Sequence, residues 1–60
     1  MNATHEITAY GRMSDGVIGN WTITARWEGE HAEDVLTGVY YAEAQRKGFR
    51  LIGEPVVTAI

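Results

Sequence analysis

The residues best suited to chemistry lie around His31, in an acidic stretch near the middle of the chain. His31 and Asp34 are three positions apart, a spacing that puts two metal ligands on one face of a helix. Glu30 and Glu33 add carboxylates beside them. A simpler interpretation is that acidic side chains in the first turn of a helix interact favourably with its dipole. We favour the second interpretation, and we expect neither a metal site nor a bound cofactor.

Nucleophilic catalysis requires a nucleophile next to a base. Ser14 is the single serine, and the Asp15-Gly16 pair that follows it is typical of a turn. Neither His5 nor His31 is near Ser14 in the sequence. The chain also has no cysteine and no glycine-rich phosphate-binding motif. We therefore expect a protein that is not an enzyme.

A second set of side chains is suited to binding from the open face of a sheet. Tyr10 could stack on a base while Arg12, Arg26 and Arg50 contact phosphates. However, the chain has five Lys and Arg against eight Asp and Glu, a net charge of −3. Phosphate backbones attract basic proteins, so this balance disfavours a nucleic-acid partner. Nucleic-acid binding through these four residues is therefore the alternative function.

These side chains depend on two strands, over about residues 5–13 and 17–28, in which apolar and polar residues alternate. Ser14-Asp15-Gly16 lies between them. A two-residue turn would put the apolar residues of the two strands on opposite faces, whereas a three-residue turn puts them on one face. We predict the three-residue turn, with Gly16 in the left-handed conformation. This register places Gly11 opposite Gly19 and leaves a hollow that a helix or an aromatic ring could enter.

The period changes after Gly29 and predicts a helix over residues 30–47, with Gly29 as its cap and Gly48 just past its end. Gly38 lies in the middle, and we interpret it as a point of close packing. The stripe expected to face the sheet is Ala32, Val35, Leu36, Val39, Ala42 and the stem of Arg46. The residues expected opposite that stripe are Thr37, Tyr41 and Ala44.

Residues 49–60 are β-prone but are interrupted by Gly53-Glu54-Pro55. We predict one long, bulged edge strand, with two short strands as the alternative. The whole chain, residues 1–60, is then a single small domain of the α+β class. Its three-stranded antiparallel sheet has the order β-β-α-β, with the third strand beside the first and one helix on one face.

A chain of 60 residues without disulfides has a small core, which rarely supplies more than about 3–5 kcal/mol. Oligomerisation is the remaining reinforcement, so we expect a homodimer or a higher homo-oligomer. The last five residues contain no charge or proline to protect an edge strand. Candidate contacts with a protein partner are Tyr41 and Thr37 on the helix and Ile52, Val56 and Ile60 on the final segment.

The sequence thus predicts a small non-enzymatic protein–protein interaction module. Chains of this size without catalytic residues are often accessory or inhibitory proteins, including those of phages and mobile elements, and we place this chain among them on size alone. No apolar run reaches the roughly 20 residues of a membrane helix. We expect no membrane partner and a soluble protein of the cytoplasm.

Overall fold

A computed structural model describes residues 2–60. Its elements are the strands β1 and β2, the helix α1 and the short strands β3 and β4: His5–Arg12, Ile18–Ala25, Ala32–Lys47, Arg50–Leu51 and Val56–Ala59. β1 is central in one antiparallel sheet, with β2 on one side and β3 and β4 in succession on the other. The helix packs on one face. The α+β class and the place of the final segment beside the first strand are confirmed.

The hairpin has the predicted register. Ala9 is opposite Trp21 and Ile7 is opposite Ile23, so both apolar sets share the face under the helix. The turn is closed by a hydrogen bond of 2.8 Å from the Met13 N–H to the Val17 carbonyl. Gly16 has φ 92°, the left-handed conformation that this turn requires.

The two facing glycines differ in their surroundings. A Cβ on Gly11 would lie 2.3 Å from the Arg50 carbonyl oxygen and 2.6 Å from Cζ of Phe49, whereas one on Gly19 would have no atom within 4 Å. The aromatic ring of Phe49 and the backbone of β3 therefore fill half of the predicted hollow. Gly38 takes no part in it, because a Cβ there would also have no neighbour within 4 Å. The prediction of close packing at Gly38 is wrong.

The helix begins two residues later than predicted, at Ala32, and its cap is His31 in a left-handed conformation with φ 61°. The cause is the indole of Trp27. It donates a hydrogen bond of 3.0 Å to the Glu30 carbonyl and packs against Gly29, which holds these residues in a loop. The predicted cap at Gly29 is therefore wrong, while the predicted end at Gly48 is confirmed.

The helix is also rotated relative to the predicted stripe. Its buried residues are Leu36, Tyr40 and Ala44, whereas Val39 and Ala42 are exposed and the exposed Arg46 pairs with Glu43. The ring of Tyr40 lies 5.2 Å from that of Trp21 between centroids, and its hydroxyl donates to the Trp21 carbonyl at 2.5 Å. Burying a large ring whose hydroxyl has a partner outweighs burying the aliphatic Val39.

The final segment forms two short strands, which was the alternative to one long strand. β3 pairs with the end of β1, where Leu51 is opposite Gly11, and β4 pairs with its beginning, where Val56 is opposite Thr8. Between them, the N–H groups of Ile52 and Gly53 both donate to the Tyr10 carbonyl. The chain then leaves the sheet through residues 53–55, where Pro55 has no N–H to donate.

Candidate protein-interaction surface

The sheet has an inner face under α1 and an outer face that no element covers among residues 2–60. Side chains alternate along a strand, so the residues of the outer face follow from the register. The outer face, as the term is used below, consists of Glu6, Thr8, Tyr10 and Arg12 on β1, Ile18, Asn20, Thr22 and Thr24 on β2, and Arg50, Ile52, Val56 and Thr58 on or beside β3 and β4.

Three apolar side chains adjoin one another on this face, and we call them the apolar patch: Tyr10, Ile52 and Val56. They are 49%, 61% and 57% exposed. Ile52 is hydrogen-bonded to the backbone of Tyr10, and Val56 lies opposite Thr8, the next outer-face residue along β1. Single exposed apolar residues are ordinary, whereas a contiguous group is a candidate for contact with another molecule.

The row beside the apolar patch is made of threonines. The Thr22 hydroxyl donates a hydrogen bond of 2.9 Å to the Thr8 hydroxyl, which in turn donates to the Trp21 carbonyl at 3.4 Å. Because these hydroxyls already have partners, covering this row with another protein leaves fewer polar groups unsatisfied. The middle of the outer face is therefore suited to burial.

Positive charge gathers at the hairpin end of the outer face, where Arg12 is directly opposite Arg50 and two residues from Tyr10. Arg26, the fourth candidate for nucleic-acid binding, lies at the other end. It is eight positions beyond Ile18, the partner of Arg12 on β2, a distance of about 27 Å along the strand. Arg26 also pairs with Glu28. The structure thus brings three of the four residues together.

The five candidates for protein binding fall on two surfaces. Ile52 and Val56 belong to the apolar patch, and Ile60, 67% exposed, follows β4 at the same edge of the sheet. Tyr41 is 48% exposed and Thr37 is half-buried, but both are on α1, on the opposite side of the sheet. Ala44, expected beside them, instead lies on the buried side of α1, in the core.

Sequence reasoning did not join Tyr10 to Ile52 and Val56. It assigned Tyr10 to a nucleic-acid face. The contact with Ile52 and Val56 could not be predicted, because the register between β1 and the final segment depends on how residues 53–55 leave the sheet. The available signal is parity alone, since Ile52 and Val56 lie four apart and Tyr10 is an outward position of β1.

The two edges of the sheet are protected to different degrees. The β3–β4 edge is broken into strands of two and four residues with Gly53-Glu54-Pro55 between them, and short, interrupted edges resist pairing. The β2 edge is eight residues long and contains no charged residue and no proline. Sequence reasoning placed the open edge in the final segment, whereas the structure shows the longer unprotected edge at β2.

A shallow cavity of about 190 Å³ lies at the hairpin end, lined by Met13, Ser14, Asp15, Trp21, Lys47 and Phe49. Both histidines are at the opposite end, because His5 begins β1 and His31 precedes α1. No serine–histidine pair therefore forms within the described part of the chain. Residues 2–60 likewise contain no group of three side chains placed to hold a metal ion. The helix α1 is too short and too polar to cross a membrane.

No protein-family model matches the chain, and no curated protein or solved structure is significantly similar to it.

Proposed function

We propose that this chain is a small non-enzymatic module that binds another protein through the apolar patch and associates with itself as a homo-oligomer. The observation that carries the proposal is the uncovered outer face, on which Tyr10, Ile52 and Val56 adjoin one another with about half or more of each side chain exposed. Such a module acts as an accessory or inhibitory binding protein, since its effect comes from occupying a surface of its partner.

The shape and charge of the outer face specify the partner in chemical terms. A sheet face offers a flat contact, so the partner supplies a flat apolar surface. Arg12 and Arg50 lie at one end of the apolar patch and carry like charges opposite each other. A carboxylate of the partner at this end would relieve their repulsion and orient the complex.

The test uses two threonine substitutions in the apolar patch and a control that matches the change at Val56. Val56 in the apolar patch and Val17 in the turn are 57% and 56% exposed, so Val56→Thr and Val17→Thr make the same change at sites of equal exposure. Adding Ile52→Thr to Val56→Thr removes apolar surface from the patch both beside β3 and on β4. We expect this double variant to weaken the complex about tenfold or more, and Val17→Thr to leave it unchanged.

The measurement is capture of protein from a lysate of the source cells by the tagged chain, with nuclease-treated samples in parallel. A protein retained by the wild type and by Val17→Thr, but not by the double variant, supports the proposal. Equal capture by all three chains contradicts it, as does the absence of any captured protein. Loss of capture after nuclease treatment would favour the alternative role in nucleic-acid binding.

A further inference from the structure

We infer that two copies of this chain pair through their β2 edges, antiparallel and about a twofold axis at Thr22, to form one continuous sheet. The inference rests on the proposed function, because it specifies the interface of the homo-oligomer proposed there. It concerns a different surface from the apolar patch, so the two can fail separately.

The backbone of β2 has the hydrogen-bonding groups that such a pairing requires. The Met13–Val17 hydrogen bond and the pairing with β1 direct the N–H and C=O groups of Gly19, Trp21 and Ile23 toward β1. Groups alternate along an antiparallel strand, so those of the residues in between point away from the sheet. The outward set is Ile18, Asn20, Thr22 and Thr24, and no strand of residues 2–60 pairs with it.

The inner face of β2 is incompletely covered. The helix backbone lies closest to β1, β3 and β4, and it reaches β2 through the contact of Tyr40 with Trp21. Trp21, Ile23 and Ala25 consequently remain half-buried, although they point to the inner face. A second β2 strand, joined edge to edge about Thr22, would place Ile23 of one copy opposite Trp21 of the other and shield both side chains from water.

Charge selects a second copy, in the antiparallel direction, as the occupant. Basic residues gather at the hairpin end and acidic residues at the opposite end, around the start of α1. The hairpin end carries Arg12, Lys47 and Arg50 against Asp15 in the turn, and the opposite end carries Glu28, Glu30, Glu33 and Asp34 against Arg26, which pairs with Glu28. Antiparallel pairing puts the basic end of each copy beside the acidic end of the other, whereas parallel pairing would align like charges.

The position of the axis follows from the same charges. When Thr22 of one copy lies opposite Thr22 of the second copy, Gly16 of the first copy faces Glu28 of the second. The Arg12 guanidinium already reaches the Gly16 carbonyl, at 3.5 Å, and so lies next to that carboxylate. With Thr22 as the axis, Arg26 of the second copy lies opposite Ile18 and stays paired with Glu28. Moving the axis by one residue to Trp21 would instead place Arg26 opposite Gly16 and Glu28 opposite Ser14.

Crosslinking tests the position of the axis. The chain has no cysteine, so a single Thr22→Cys substitution gives one thiol per copy. Across the proposed axis, the two thiols would be joined by a short thiol-to-thiol crosslinker, because directly opposed residues have Cβ atoms only about 5 Å apart. Thr58→Cys, on the opposite edge and also exposed, is the matched control. We expect covalent dimer from Thr22→Cys alone, and equal yields from both would overturn the inference.

Association measured by sedimentation over a range of concentrations tests the pairing itself. Thr22→Lys would put two like charges directly opposite each other, and Thr58→Lys adds the same charge to the other edge. We expect the first to raise the dimer dissociation constant at least about tenfold and the second to leave it within about twofold. Unchanged far-UV circular dichroism shows that each variant is folded. A wild-type chain that stays monomeric up to about 1 mM, a concentration matching a binding free energy of only about 4 kcal/mol, overturns the inference.

Measuring both dimer formation and partner capture for the variants of each proposal separates the two proposals. The double variant of Ile52 and Val56 is expected to lose capture of the partner protein while retaining dimer, and Thr22→Lys is expected to lose dimer. If the double variant loses dimer while Thr22→Lys retains it, two copies meet through their outer faces and the β2 pairing is wrong. If dimer forms as expected but no protein is captured, the binding role of the apolar patch fails and the β2 pairing stands.

Discussion

The two facing glycines provide a test of the packing, because the same substitution has opposite consequences on the two strands. Gly11 and Gly19 are cross-strand partners on the inner face, Gly11 on the central strand β1 and Gly19 on the edge strand β2. Only Gly11 is packed against the backbone of β3 and the ring of Phe49. We predict that Gly11→Ala destabilises the protein strongly and that Gly19→Ala is neutral or slightly stabilising.

The magnitude for Gly11→Ala follows from the contacts that its Cβ would make. At 2.3 Å from the Arg50 carbonyl oxygen it would be about 1 Å closer than a normal C–H···O contact allows. The obstacle is backbone, and β3 is held to β1 by only two residue pairs, so β3 and the buried ring of Phe49 must move. Overpacking of this kind costs about 1–3 kcal/mol, and loss of the β3 pairing adds to it.

For Gly19→Ala, the open space around the new methyl group leaves the intrinsic preference of the strand to decide. Alanine is favoured over glycine in a strand by roughly 0.5–1 kcal/mol, because glycine loses more backbone entropy on folding. The two variants should therefore differ by about 2–4 kcal/mol. A core of this size supplies only about 3–5 kcal/mol in total, so a loss of about 1–3 kcal/mol or more in Gly11→Ala is a large fraction of the stability.

Urea unfolding followed by tryptophan fluorescence measures this difference, since the Trp21 ring lies 5.4 Å from that of Phe49 between centroids and reports on the same part of the core. The reasoning is refuted if the free energies of unfolding of the two variants agree within about 0.5 kcal/mol. It is also refuted if Gly19→Ala is the more destabilising of the two.

Two further predictions concern the helix. Gly38→Ala should raise the free energy of unfolding by about 1 kcal/mol and the melting temperature by about 4–8 °C, because a Cβ there meets no atom within 4 Å; a lower melting temperature would contradict this. Tyr40→Phe should cost about 1 kcal/mol at neutral pH, because it removes the hydrogen bond to the Trp21 carbonyl. Burial raises the pKa of Tyr40 above its ordinary value of 10.0, an effect that the Ala9 backbone partly offsets. The folded state then holds this proton more tightly than the unfolded state, so stability is retained below pH 10 and falls as the pH rises above about 10. Urea titrations from pH 8 to 11 should show a smaller fall for Tyr40→Phe, and an equal fall would exclude Tyr40 as its source.

The parts that the sequence predicted correctly depend on neighbours along the chain. The register of the hairpin follows from alternation in two adjacent strands and the length of one turn, so parity alone could choose it. The end of the helix follows from the dipole and from Gly48. The α+β class follows from the order of these elements.

The parts that were missed depend on contacts between distant residues. The helix starts later than predicted because the indole of Trp27 is hydrogen-bonded to the loop before it. The buried face of the helix differs from the predicted stripe because Tyr40 packs against Trp21. Both effects require side chains whose proximity is unknown until the chain is folded. Gly11 and Gly19 are alike in the sequence, and only the return of Phe49 and β3 distinguishes them.

The candidate surfaces also combine features that follow from the sequence with features that depend on contacts between distant residues. The sequence by itself determined that Ile52 and Val56 share a parity, whereas the predicted second strand, over about residues 17–28, still included Arg26 and Glu28, and only its observed end at Ala25 leaves β2 without charge. Only the tertiary structure decided that Tyr10 adjoins them, because this depends on the pairing of β3 and β4 with β1. It also decided which of the two edges is the more open, since the final segment breaks at Gly53-Glu54-Pro55 into two short strands while β2 is eight residues long. A strand is an edge only with respect to the rest of the sheet, and no local pattern contains that relation.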